Sequence, residues 1–116
     1  MGGNQPLTIL GGGGQTRDFV YVKDIANGIA RALEIPDLSP FTVCNLGRGH
    51  AVSIRQLAAI MRPFFPDWNG SIVEAPARPG DICRSVADIS AAQKLLFFRP
   101  RYSLESGLAE MLPKAK

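Results

Sequence analysis

Arginines and polar side chains recur in this chain where short apolar stretches begin or end. Arg17 stands just ahead of residues 19–22, Asn45 and Arg48 close residues 41–46, and Arg78 with Asp81 follows residues 71–74. A planar guanidinium can grip a phosphate through two parallel hydrogen bonds, so two arginines suit a ligand with two phosphates. Ligands of open α/β sheets bind beyond strand ends, where these residues fall. The plainer alternative for each arginine is a surface charge or an intramolecular ion pair.

Other chemistries are poorly served. The one histidine, His50, sits beside Gly49 in a loop, and no G-x-S-x-G supplies a nucleophile. Cys44 and Cys83 stand far apart with no second Cys or His at metal-ligand spacing, which points to a reduced, intracellular chain without a metal. The four glycines at 11–14 look at first like a phosphate loop. A dinucleotide fingerprint has to open a helix, however, and here Thr16 and a β-branched run follow; a Gly-Lys-Ser/Thr sequence is also missing. A hairpin turn joining two extended pieces is expected instead. Asp18 and Asp24 flank residues 19–22, and Glu105 and Glu110 share one helical stretch, so these carboxylates read as solvated or capping groups.

The elements that must position these residues alternate along the chain. Residues 6–10 are apolar, Phe19-Val20-Tyr21-Val22 is β-branched and aromatic, Phe41-Thr42-Val43-Cys44-Asn45-Leu46 is apolar enough for a strand covered on both faces, and residues 71–74 form a further extended run. Between them lie helical patterns. One has Asp24 as N-cap, carries Ile25, Ile29, Ala32 and Leu33, and stops at Pro36; another has Ser53 as cap, carries Ile54, Leu57, Ala58 and Met61, and stops at Pro63. Asp88 and Ser90 can each cap a helix through Leu96, and Ser103 caps a last one. The order predicts an α/β domain of short strands alternating with about four helices.

At 116 residues the chain has room for one domain. Hydrophobic residues at 46% and charged residues at 20% match an ordinary soluble domain and exclude collagen-like, coiled-coil and disordered classes. The net charge of +3 is spread along the chain without a basic stripe, which argues against a nucleic-acid partner. No leader pattern and no apolar run of roughly 18 residues is seen, so a cytoplasmic chain with no membrane partner is expected.

Taken together, the segment from Gly13 through Gln15-Thr16-Arg17-Asp18-Phe19-Val20-Tyr21-Val22-Lys23-Asp24 resembles a signature of the NAD-dependent nucleotide-sugar epimerases and dehydratases, the extended short-chain dehydrogenase/reductase family. Three further segments follow in that family's order: residues 41–47, Ala77-Arg78-Pro79-Gly80-Asp81, and the run from Ser85-Val86-Ala87-Asp88-Ile89-Ser90 to Leu96. The resemblance covers nearly the whole chain and corresponds to the C-terminal, substrate-binding portion of such an enzyme, so residues 1–116 form a single domain without the NAD-binding domain. It implies that Arg17 and Arg78 hold a nucleotide pyrophosphate, that Asp81 accepts from a ribose hydroxyl, that Asn45 lines the phosphate region, and that Gln15 serves ligand or turn. No catalytic residue is carried over. The family's G-x-x-G-x-x-G loop for NAD has no counterpart here, and neither Tyr21 (Ile25 four residues on) nor Tyr102 (Ser106) has the Tyr-x-x-x-Lys partner that lowers a tyrosine's pKa. Phe97-Phe98 stands where the family has Gly-Trp, which predicts either drift or a pair of rings covering apolar surface.

The expected function is a nucleotide-sugar-binding fragment, for a UDP- or dTDP-linked sugar, that holds no cofactor and does not catalyse alone. The alternatives are a non-catalytic homo-oligomeric interaction protein from a truncated gene, and the C-terminal half of a split enzyme working with a separate NAD-binding partner.

Overall fold

A computed structural model describes residues 3–112, and within them four helices surround two separate two-stranded sheets. Strand β1 (Leu7–Leu10) runs parallel to β4 (Ile72–Ala75), with Leu7 opposite Ile72 and Leu10 opposite Ala75. Strand β2 (Thr16–Arg17) runs antiparallel to β3 (Val52–Ser53). On its other side β2 is bridged to Arg84: Thr16 N–H donates to the Cys83 carbonyl at 2.9 Å, and Ser85 N–H donates to Thr16 at 3.0 Å. The glycines at 11–14 are therefore not a hairpin turn, because β1 and β2 belong to different sheets. Gly11, Gly12 and Gly13 all have positive φ, and a Cβ on Gly13 would come within 2.7 Å of Ile9. Only glycine makes so sharp a transfer of the chain from one sheet to the other.

The helices follow the sequence closely. Helix α1 (Val22–Glu34) stops ahead of Pro36. Helix α2 (Ile54–Met61) opens on a capping box: Ser53 Oγ accepts from Gln56 N–H at 3.1 Å, and Gln56 Oε1 accepts from Ser53 N–H at 2.9 Å. Asp88 accepts from Ser90 N–H at 3.0 Å at the start of α3 (Ser90–Leu96), and Ser103 accepts from Ser106 N–H at 3.0 Å at the start of α4 (Leu104–Met111). One cap differs. Helix α1 begins after Tyr21, and Asp24 lies inside its first turn, 1% exposed. Its carboxylate accepts from the Arg101 and Tyr102 N–H groups at 2.8 and 3.1 Å, so it anchors the strap before α4 instead of capping α1.

Two expected strands do not form. Residues 19–21 are irregular and Val22 joins α1; the β-branched run yields to the helix that follows it. Residues 41–46 have no strand beside them within the described residues, and a strand exists only through a neighbour's hydrogen bonds. Their exposure still alternates: Cys44 and Leu46 lean on the core while Phe41 and Val43 are 90% and 88% exposed.

The core is small. Ala92, Leu96 and Phe98 are its fully enclosed centre, with Ala32, Ile35, Leu38, Cys44 and Leu46 packed against them. Gly28 lets α1 approach, since a Cβ there would meet Leu46 at 2.7 Å. Phe98 is thus a core residue, while Phe97 is 65% exposed. The chain is a slab 54 × 39 × 15 Å with a radius of gyration of 17.3 Å. A compact domain of this length would measure about 13 Å. No helix of the described residues is long and apolar enough to cross a membrane.

Phe97 ends α3 in the left-handed region (φ 51°, ψ 30°). A side chain there costs about 1–2 kcal/mol, partly offset in a glycine variant by its freer unfolded chain. Phe97→Gly should therefore stabilise the protein by about 0.5–1 kcal/mol, read as a few degrees in a thermal melt.

Candidate functional site

Strand β2 places Arg17 at the edge of a cavity of about 540 Å³, which Asn45, Asp18, Ser85 and residues 86–87 also line. Arg17 Nη1 donates to the Thr16 and Ile82 carbonyls at 2.8 and 2.6 Å, and Nη2 donates to Asp81 Oδ1 at 2.7 Å. Residues 64 positions apart in the sequence therefore meet in one ion pair, both partners about one-third exposed. Arg78 belongs to the same turn as Asp81, whose N–H donates to the Arg78 carbonyl at 3.2 Å, and its side chain is exposed. Asn45 Nδ2 donates to the Asp88 carbonyl at 3.3 Å on the far wall. Of the five sequence candidates, Arg17 and Asn45 thus share a cavity, Asp81 is paired with Arg17, and Arg78 is tied to Asp81 through its backbone. The fifth, Gln15, donates to the Leu10 carbonyl at 3.0 Å and ties down the glycine turn.

Asp18 organises these walls and was read from sequence only as a solvated or capping group. Its Oδ1 accepts from Arg48 N–H at 2.9 Å, and its Oδ2 accepts from Gly49 and Ala87 N–H at 2.9 and 3.2 Å. A Cβ on Gly47 would come within 2.7 Å of that same oxygen, so the loop can close on the carboxylate only with glycine there. No local signal marks this role, since all three donors come from distant loops.

The family's cofactor can be tested against the glycine turn. Its positions are filled by the protein itself: Gly11 abuts Ala77, Gly13 abuts Ile9, and the Gly12 carbonyl accepts from Arg55 Nε and Nη2 at 3.1 and 2.7 Å. The turn leads into β2 and opens no helix of its own, and Arg55 at the start of α2 already packs against Gly13, so it does not fit a dinucleotide pyrophosphate. Nor is there a poised tyrosine. Lys23 Nζ lies 5.8 Å from the ring centres of both Tyr21 and Tyr102. Desolvation and a hydrogen bond to Glu110 nevertheless push the Tyr21 hydroxyl above its usual value, opposite to what a base requires. These residues form a clasp, with Lys23 and Tyr21 both bound to Glu110 Oε2, that fastens α1 to α4. His50 is exposed at a separate cavity of about 330 Å³ beside Arg48 and Glu105. Among the described residues no cluster of His, Cys, Asp or Glu could hold a metal.

Residues 1–111 match the family described as GDP-mannose 4,6 dehydratase. The sequence is 34% identical over 108 residues to UDP-glucuronic acid decarboxylase 2 of Arabidopsis thaliana, spanning 93% of this chain and 23% of that one. The fold resembles Bacillus cereus UDP-glucuronic acid 4-epimerase, solved with UDP-glucuronic acid and NAD, at a TM-score of 0.82 and 34% identity; the match covers 91% of this chain and 33% of that one. It also resembles Thermotoga maritima UDP-glucose 4-epimerase, solved with UDP-glucose, at a TM-score of 0.80 and 31% identity, covering 90% and 34%. The chain thus spans between 23% and 34% of the length of these relatives.

Two outcomes follow from this geometry. Asp18→Ala leaves three backbone donors without their acceptor and should cost about 2–4 kcal/mol in urea denaturation. The Lys23 hydrogen bond lowers the Glu110 pKa from 4.5, so its contribution is present above that value and lost as pH falls through the folded pKa. Glu110→Gln should flatten that acid limb of the melting-temperature profile.

Proposed function

Because this chain belongs to the GDP-mannose 4,6 dehydratase family of NAD-dependent epimerases and dehydratases, we propose that it forms the nucleotide-sugar-binding wall of such an enzyme. In this reading Arg17 and Arg78 hold the pyrophosphate of a UDP- or dTDP-linked sugar, Asn45 lines the phosphate region, Asp81 faces the ribose, and Gln15 holds the turn behind them. The observation that carries it is the Arg17–Asp81 pair, which ties the arginine of β2 to the turn bearing Arg78. Two guanidiniums carried by linked segments would suit two adjacent phosphates.

The 116 residues do not catalyse alone. NAD supplies the hydride chemistry in the family, and the glycine turn here is packed against its own chain, so the cofactor is held by other residues of a longer protein or of a separate NAD-binding partner in the cytoplasm. The thinness of the slab supports this: 15 Å leaves no room for a second covering layer, and Leu33, Phe41 and Val43 are at least 85% exposed. A homo-oligomeric interaction protein is the second reading, favoured by the same apolar surface. Light scattering separates the two: a stable dimer of this chain supports the second, and a monomer opposes it.

A UDP- or dTDP-linked sugar should raise the melting temperature, by about 2.7 kcal/mol of linkage at a hundredfold excess over Kd, and Arg78→Ala should remove the shift. No shift at millimolar ligand would overturn the proposal.

A further inference from the structure

We infer that Asp81 is a positioning residue for Arg17, holding its guanidinium so that a fixed pair of donors is left for an anion; this rests on the reading that Arg17 meets the pyrophosphate. A guanidinium has five N–H donors and no acceptor. Three are engaged within the chain: two on Nη1 by the Thr16 and Ile82 carbonyls, and one on Nη2 by Asp81 Oδ1. Nε–H and one N–H of Nη2 remain, the number that a bidentate phosphate contact uses.

The three acceptors come from two segments. Thr16 belongs to β2, whereas Asp81 and Ile82 lie on the strap that passes beside it, joined to Thr16 by the Cys83 and Ser85 backbone bonds. The guanidinium is thus gripped from both sides before any ligand arrives, and the ordering of a long side chain is already complete. Asp81 does this at a Coulombic cost, since its negative charge sits against the group meant to attract an anion. The two contributions have opposite signs, and that makes the role measurable.

The test titrates the wild-type chain, Asp81→Asn and Asp81→Glu with inorganic pyrophosphate and with UDP by calorimetry, and follows rotation of the Arg17 guanidinium by nitrogen NMR. If Asp81 positions Arg17, Asp81→Asn weakens pyrophosphate by a factor of about ten, the size of one charge-assisted hydrogen bond, and UDP by at least that factor, and Asp81→Glu restores part of it. The Arg17 Nη signals should show hindered rotation in the wild type and free rotation in Asp81→Asn. Weakened UDP binding with unchanged or tighter pyrophosphate binding would mean that Asp81 acts only on the ribose, and would overturn the inference. If the wild type binds neither ligand, the proposed function fails, and the NMR signals decide the positioning role alone: hindered rotation released by Asp81→Asn sustains it, and free rotation in the wild type refutes it.

Discussion

The Asp18 carboxylate accepts three backbone N–H groups, from Arg48, Gly49 and Ala87, and through them joins β2 to the loop at 47–49 and to the segment leading into α3. The sheet at this point is only β2, β3 and a bridge to Arg84, too few ladder bonds to fix three segments by themselves. An ionised carboxylate makes stronger bonds than a carbonyl and can take several donors at once. The walls of the Arg17 cavity therefore meet at this one side chain: it directly follows β2, and the loop after Asn45 and the segment after Ser85 are hung from it. Asp24 repeats the device six residues further on, taking the Arg101 and Tyr102 N–H groups and so tying the segment before α4 to α1.

Such anchors matter because hydrophobic burial here is thin. A 15 Å slab has one layer of side chains to enclose, and the enclosed centre is Ala92, Leu96 and Phe98. Much of the apolar surface that would stabilise a compact domain remains at the face carrying Leu33, Phe41 and Val43. Polar bonds to backbone substitute for packing where two layers would otherwise hold the loops. The fold is accordingly better specified around β2 than across its apolar face, where residues 41–46 keep the alternation of a strand without its ladder.

What was legible in the sequence was local. The caps at Ser53 and Ser103 and the stops at Pro36 and Pro63 depend on contacts within a few residues, and each stands where the sequence places it. What was not legible depends on distant partners. Residues 41–46 have strand composition and no neighbour; Asp18 and Asp24 look like surface carboxylates until donors from residues 48–49, 87 and 101–102 arrive. The candidate site lies between these cases. Arg17, Asn45, Arg78 and Asp81 were each visible at the end of an apolar stretch, but only the fold pairs Arg17 with Asp81 and leaves Gln15 in the turn.

Two arginines on neighbouring elements show what separates a ligand-facing guanidinium from a structural one. Arg55 on α2 binds the Gly12 carbonyl twice and Glu74 Oε1 at 2.5 Å, clamping the glycine turn to β4. Arg17 is equally occupied by its own chain, yet it lines a cavity that Asn45 also lines, and Asp81 ties it to the turn bearing Arg78. Lysine would satisfy neither position, since a single ammonium cannot be held from two sides and still present a planar pair of donors. The number of bonds an arginine makes within the protein therefore does not mark it as structural. What counts is whether the arginine also borders a space that an anion can enter, as Arg17 does.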